Sequence, residues 1–284
     1  MAGPSATLRA QWLGQQMREM RERANLTLKD VGDYVNRNAS TVSRLEAGMP
    51  PPRVPEVLAY LDVCGIDDPQ RRDSLRAMAR DVWQKGWWDG FAGDVAGSLI
   101  DWIWLENRAV EIWSFQAIVL PGLLQTREYA EALIRTANFD ATPEQIERFV
   151  EARMARKQLL SRDDDPVALF AIVDEAVLRR TVGGPEVMRA QLEHLREVAA
   201  GDHVTLMILP ADAGAHASPD GSFDIFLMAP PYPDAACLST PAGTLVVETD
   251  DAARLTAAYD RLRGQALGPG DSLAYLSDLV KRLE

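Results

Sequence analysis

Cysteine is almost absent from this chain: 284 residues contain only Cys64 and Cys237, far apart and with no CxxC spacing. That excludes a disulfide framework and a cysteine-rich zinc site, and it fits a reducing, cytoplasmic setting. Long apolar runs are missing too. No stretch approaches the roughly 20 residues needed to span a bilayer, and MAGPSATLRA lacks the apolar core of a signal peptide, so no membrane is expected as a partner. Histidine is scarce, with His194, His203 and His216 alone. There is no G-x-S-x-G elbow, no glycine-rich phosphate loop and no H-E-x-x-H, which removes the common hydrolase, nucleotide and metalloprotease signatures. An excess of positive charge is also lacking, since the net charge is −12.

What remains describes an ordinary globular protein, 47% hydrophobic and 25% charged, long enough for two domains. The charge is segregated. Residues 1–80 hold 12 Lys+Arg against 10 Asp+Glu, while residues 81–284 hold 18 against 32. An evenly acidic chain would be repelled by phosphates; segregation leaves the first part able to approach them.

The stretch Thr27–Gly48, TLKDVGDYVNRNASTVSRLEAG, is the most informative. Leu28, Val31 and Val35 share one helical face, and Val42 and Leu45 give a second helix its inner face. Asn36-Arg37-Asn38 between them tolerates positive φ, and Gly32 stands where the two helices approach most closely. The outer face of the second helix presents Asn38, Ser40, Thr41, Ser43 and Arg44, groups suited to base edges and phosphates. Upstream, Leu13, Met17 and Met20 mark an amphipathic helix whose basic face holds Arg18, Arg21 and Arg23. Downstream, Gly48 and Met49-Pro50-Pro51-Pro52 stop the helix, and a fourth follows over roughly Val54–Val63. The expected partner is double-stranded DNA. Residues 39–47 lie in its major groove, Asn38, Ser40, Thr41 and Ser43 read base edges, and Arg37, Arg44 and Arg53 contact phosphates. Thr27 caps the helix before the reading helix and helps fix a phosphate there. Modest affinity per subunit predicts a homodimer, its two reading helices about one DNA turn apart.

With Leu13-Gly14, Met17-Arg18, Met20-Arg21, Leu26-Thr27, Val31-Gly32, Val42–Glu46 and Gly48, this region resembles the lambda-repressor-like (XRE-type) helix-turn-helix domain. The resemblance implies that Arg21 pairs with Glu46. It usually has Gly where this chain has Asn25, which can adopt the same left-handed cap.

Asp67-Asp68-Pro69 opens a further helix through Leu75, Met78 and Val82. Six of the seven tryptophans then fall between Trp83 and Trp113, suiting either an aromatic core between domains or a groove for a ligand or partner. The expected division is a helix-turn-helix domain over 1–80, a Trp-rich linker over 81–98, and a domain over 99–284 for dimerisation and for a partner or effector.

In that last part helices and strands alternate. Strands are expected over Glu111–Gln116, Val167–Val173, His203–Leu209, Phe223–Met228, Ala236–Ser239 and Thr244–Glu248. VALFAIV reads as buried on both faces and His203–Leu209 as a second central strand. The turn-rich links after Met228 and Ser239 suggest antiparallel neighbours. The predicted class is an all-α lambda-repressor-like domain followed by an α+β domain with a mostly antiparallel sheet. The loop HASPD places His216, Ser218 and Asp220 together, but residues two apart on a loop do not bring nucleophile, base and orienter to one point. His216 is expected to order its loop, no enzyme activity is expected, and Asp163-Asp164-Asp165 is expected to be a solvated loop rather than a metal site. No cofactor and no metal are expected.

GWWDGF (Gly86–Phe91), VLPGLLQTREYAEALI (Val119–Ile134), EARMARKQ (Glu151–Gln158), AGAHASPDGSFDIF (Ala213–Phe226) and YDRLRGQALGPGDSLAYL (Tyr259–Leu276) resemble an actinobacterial family. In it a lambda-repressor-like head is joined to a large C-terminal domain, and members are described as antitoxin-like transcriptional regulators of Scr type, often encoded beside a short protein they are thought to bind. The resemblance implies such a small protein partner for residues from about 85 on. The alternative from the residues is a repressor that senses a small molecule.

Overall fold

A computed structural model describes residues 6–95, 97–162, 166–240 and 243–283. It divides into two compact units, 1–90 and 91–284. The Asp163–Asp165 run lies outside the described residues.

The first unit is helical: α1 Leu8–Arg23, α2 Leu28–Tyr34, α3 Ala39–Glu46, α4 Val54–Val63 and α5 Pro69–Asp81. The apolar spacing seen in the sequence is its core. Leu13, Met17, Val31, Val42, Val57 and Leu61 are completely buried, with Leu45 and Leu75 nearly so. Two glycines permit the close approaches. A Cβ at Gly14 on α1 would lie 2.4 Å from the carbonyl oxygen of Glu46 at the end of α3, and one at Gly32 would lie 2.5 Å from that of Arg37. Asn25 and Asn36 take positive φ, 56° and 54°, and reverse the chain after α1 and α2. The expected basic face of α1 is not a free positive surface. Arg21 turns inward and is buried, Arg18 pairs with Glu22 at 2.8 Å, and Arg23 reaches Glu19 at 3.5 Å. Acids one turn away neutralise both exposed arginines.

The second unit is built on one six-stranded sheet of order β3-β2-β1-β4-β5-β6. Its strands are β1 Ala109–Gln116, β2 Ala168–Asp174, β3 Val204–Leu209, β4 Phe223–Met228, β5 Ala235–Thr240 and β6 Gly243–Glu248. The sheet is mixed, not mostly antiparallel: β1, β2 and β3 run parallel to one another, and β1, β4, β5 and β6 pair antiparallel. The reason lies in the connections. α7 Arg127–Ala137 and α8 Pro143–Arg156 carry the chain from β1 to β2, and α9 Glu175–Arg179 and α10 Pro185–Val198 from β2 to β3. Crossovers of that length return a strand parallel to its neighbour, whereas the short links after β4 and β5 make hairpins.

β3 is an edge strand rather than a central one. It is nevertheless almost wholly buried, and its outer edge is closed by Leu267, which follows α11 Thr249–Gln265, and by the first turn of α12 Pro269–Lys281. The Ser272 hydroxyl accepts from the Ile208 N–H at 3.0 Å, and Leu267 N–H donates to the Ile208 carbonyl at 2.8 Å. Closure of this kind satisfies backbone groups that an open edge would leave to a neighbour.

Alternation along β1 separates two environments. Trp113 and Phe115 face an apolar layer with Ile172, Phe223, Ile225, Tyr259 and Leu262, in which the Trp113 and Tyr259 rings stack at 5.2 Å. Ile112, Ser114 and Gln116 face the opposite side, where α6 Gly97–Arg108 and α8 pack. The tryptophans of the 83–113 stretch contribute to both units. Trp83, Trp87 and Trp88 belong to the first, with Trp87 edge-on to Trp88 at 5.9 Å. In the second, Trp102 meets Phe226 and Trp104 meets Tyr232 edge-on, at 5.7 and 5.0 Å.

Candidate nucleic-acid interface and a polar cavity

The turn that sets α2 against α3 is held by side-chain caps. Thr27 caps α2 in a capping box: its hydroxyl accepts from Asp30 N–H at 3.2 Å, and its own N–H and O–H donate to Asp30 Oδ2 at 2.8 and 2.7 Å. The hydrogen bonds to Thr27 hold the Asp30 carboxyl below its usual range. Asn38 caps α3, its Oδ1 accepting from Thr41 N–H at 2.8 Å and Thr41 O–H at 3.0 Å. These bonds fix the start of α3.

α3 buries Val42 and Leu45 and turns Ser40, Ser43 and Arg44 outward. Arg37, in the turn, is also exposed, and neither the Arg37 nor the Arg44 guanidinium has a hydrogen bond or ion pair among the described residues. Arg53 is exposed; its guanidinium rests 4.7 Å above the Trp83 ring, whose Nε1 donates to the Pro52 carbonyl at 3.1 Å. The eight residues expected to touch DNA thus divide. Ser40, Ser43, Arg37 and Arg44 are exposed with their polar groups open; Thr41 and Thr27 spend hydroxyl and N–H on caps, Asn38 spends its carbonyl, and Arg53 lies on an aromatic ring. The phosphate donors left at the start of α2 are backbone N–H groups rather than the Thr27 side chain.

Behind α3, Arg21 of α1 grips Glu46 through two bonds, Nε to Oε1 at 2.6 Å and Nη2 to Oε2 at 2.9 Å. Tyr60 donates its hydroxyl to the same Oε1. Burial and that bond push the Tyr60 phenol well above its usual range, and the bond to Glu46 keeps Arg21 firmly charged.

In the second unit, a cavity of about 370 Å³ lies against the Ser114–Gln116 face of the sheet. Arg156 donates Nε and Nη2 to Glu106 at 2.8 and 2.6 Å, and Trp102 Nε1 donates to Glu106 at 2.9 Å. The side chains of this pair are 8% and 3% exposed, a charge pair taken out of water. On the sheet, Gln116 donates to Ser114 at 3.0 Å and to Asp224 at 3.1 Å. Burial pushes the Asp224 carboxyl up to about 7, with the negative Glu106 adding to the rise and hydrogen bonds from Ser114 and Gln116 opposing it. One turn before Arg156, Arg153 donates to Gln125 Oε1 at 2.8 Å. Gln125 in turn donates to the Leu120 carbonyl at 2.7 Å and takes Lys157 Nζ on its own carbonyl at 2.7 Å. A Cβ at Gly122 would stand 3.1 Å from the Arg156 guanidinium. The LPGLLQT and EARMARKQ segments are therefore bonded directly to each other around the cavity wall.

Residues 12–75 match a family described as a helix-turn-helix domain. Residues 99–278 match the family described as a domain of unknown function, DUF5753. The chain belongs to the DUF5753 family. No curated protein and no solved structure matches it.

The cavity lies within the DUF5753 domain, and of its polar lining only Asp220 was weighed in the sequence, within the HASPD loop, and set aside. Ser114 and Gln116 alternate with Ile112 on β1, the pattern of a solvated strand face; α6 and α8 cover that face instead. The one available signal was the density of charge in EARMARKQ on an otherwise apolar-striped helix. In the HASPD loop of the DUF5753 domain, the Ser218 hydroxyl donates to the Gly221 carbonyl at 2.7 Å, and His216 Nδ1 accepts the Ser218 backbone N–H at 3.3 Å. The His216 ring packs edge-on to Phe115 at 5.4 Å. His194 is half-buried beside Lys157, Nε2 to Nζ 3.1 Å, and burial first, then the lysine charge, lowers its pKa. Among the described residues no group of three or more His, Cys, Asp or Glu is placed to hold a metal ion. No helix among them is long and apolar enough to cross a membrane.

Proposed function

We propose that this protein is a sequence-specific, DNA-binding transcriptional regulator of the antitoxin-like type, acting as a homodimer in the cytoplasm, with a DUF5753 domain that takes up a small protein partner. The outward row of α3 is the observation that carries the DNA-binding part. Ser40, Ser43 and Arg44 stand exposed on a helix whose start is fixed by side-chain caps and whose end is clamped through Glu46. A preset helix with open hydroxyls and an unengaged guanidinium is what major-groove reading requires. Arg37 supplies a phosphate contact, as does Arg53 once it leaves Trp83. Two such units related by two-fold symmetry would read half-sites about one DNA turn apart.

The partner reading rests on the family resemblance, whose most specific parts are the LPGLLQT and Gly214-Ala215-His216 segments. One structural feature supports it: among the described residues β6 pairs only with β5, and Leu245 on it is 55% exposed, while the opposite edge of the sheet is closed. An open strand edge with an apolar side chain suits strand addition by a second chain. The cavity favours the second reading, a repressor that senses a small molecule. A catalytic role has no part in either; the Ser218 hydroxyl is engaged by Gly221 rather than by His216.

Selection of a bound duplex from a random pool, followed by gel-shift titration, tests the DNA reading. A single enriched two-fold site is expected; no enrichment over random duplex would reject it. Purification of the native protein from its host, with identification of what accompanies it, separates a protein partner from a small ligand.

A further inference from the structure

The wall of the DUF5753 cavity contains one guanidinium that no carboxylate bonds among the described residues. Arg153 and Arg156 sit one turn apart on α8 and both line the cavity. Arg156 is matched in full by Glu106. Arg153 has one neutral partner, Gln125 Oε1, and no carboxylate in ion-pair range among the described residues. A guanidinium carries five N–H donors in a planar fork, so most of its donor capacity is unused. It is half-buried, where an uncompensated charge is costly. Burial, and then the neighbouring Arg156 charge, bring its pKa down to about 10, so it stays charged at neutral pH.

The rest of the lining is mixed in a way that suits one class of guest. Leu99 and Trp102 of α6, Ile112 of β1 and Leu238 of β5 are apolar, and Ser114, Gln116 and Asp224 gather on one stretch of sheet. At about 370 Å³ the cavity is in the range that takes a small organic molecule. A second cavity of about 200 Å³ adjoins it, sharing Leu99, Arg153 and Arg156 as a common wall, so the unmatched guanidinium lies beside both.

We propose that this cavity binds a small amphipathic organic acid, with its carboxylate forked onto Arg153 and its apolar body against Leu99, Trp102 and Leu238. A carboxylate accepts two parallel N–H bonds from a guanidinium and would give Arg153 the anionic partner it lacks. Asp224, protonated over part of the neutral range, donates to a polar substituent on the acid. This deepens the effector reading of the DUF5753 domain and rests on it.

The test is calorimetric titration of the whole protein, free of DNA, with 4-phenylbutyrate, octanoate and cinnamate, each beside its primary amide. The expected result is saturable one-to-one binding of at least one acid, at least tenfold tighter than its amide. Arg153→Gln should bring the acid down to the level of the amide and leave the amide unchanged. Equal binding of acid and amide, absence of saturable binding by all three acids, or undiminished acid affinity in Arg153→Gln would overturn the proposal. The acid–amide comparison needs no variant, so it decides even if Arg153→Gln fails to fold. Gel shifts with and without the acid then separate the two claims. An acid that binds without changing operator affinity leaves the ligand site standing and removes the effector reading. Normal operator binding with no saturable acid binding overturns this proposal and leaves the DNA-binding reading standing.

Discussion

Arg21 and Glu46 lie 25 residues apart and meet in a two-pronged ion pair, with side chains only 10% and 6% exposed. Glu46 ends the reading helix and Arg21 belongs to the last turns of α1, so the pair ties the orientation of α3 to the rest of the bundle. Tyr60 of α4 joins them through the same carboxylate oxygen. Removing one partner leaves a buried charge unmatched, which typically costs about 3–5 kcal/mol. Glu46→Ala should therefore lower the stability of the first unit by about that much in urea unfolding, and Glu46→Gln by less, since it keeps an acceptor for Tyr60. An unchanged midpoint in Glu46→Ala would mean that the pair does not hold α3.

Arg44 is expected to act on DNA through charge rather than fold. Arg44→Ala should leave unfolding unaltered, because the side chain is exposed and unbonded. It should weaken operator binding about equally across sequences and reduce the slope of log affinity against log salt by about 1. Ser40→Ala and Ser43→Ala should instead change which bases are preferred. A salt slope identical to wild type would take Arg44 out of the interface.

Gly14 is a steric requirement. The Cβ of an alanine there would press to 2.4 Å from the Glu46 carbonyl oxygen, a backbone atom with nowhere to go. Gly14→Ala should cost about 1–3 kcal/mol through overpacking, despite alanine being the better helix former. Stabilisation by Gly14→Ala would show that α1 and α3 can part without penalty.

Asp224 predicts a dependence on pH. Its folded pKa of about 7 stands above the ordinary 3.8, so the folded protein holds a proton that the unfolded chain releases. The stability it supplies is complete below pH 4 and is lost as pH rises to about 7. Asp224→Asn cannot ionise. Relative to wild type it should therefore gain stability between pH 5 and pH 8, on the order of 2–4 kcal/mol. Urea unfolding at both pH values measures this; an equal difference at the two would mean that the carboxyl is already ionised at pH 5.

Much of the first unit was legible because its helices bury side chains at helical spacing: Leu13, Met17, Val31, Val42 and Leu45 announce themselves locally. Caps are local as well, so the Thr27 cap was read; Asn38, read as a turn and base-contacting residue, turned out to be the cap of α3, its polar atoms used there. In the second unit the strands were visible but their neighbours were not. VALFAIV was rightly apolar throughout, yet the pattern within one strand does not record which strand lies beside it or in which direction. Only the helical crossovers on either side of β2 hinted at parallel pairing. The cavity was the least legible part. Arg156 and Glu106 are 50 residues apart, and on the helical surface pattern alone each reads as a solvated charge. Ser114 and Gln116 likewise imitate an exposed strand face until α6 and α8 are placed over them.

The cap on α3 also limits the vocabulary of the helix it starts. Both lone pairs of Asn38 Oδ1 are occupied by Thr41, so the amide cannot form the paired donor–acceptor clasp by which asparagine singles out adenine. Only its NH2 group remains to speak to a base, and a lone donor answers to guanine O6, thymine O4 or a purine N7 alike. Discrimination at that step of the operator must fall to the hydroxyls further along, and the base pair opposite Asn38 should tolerate exchange.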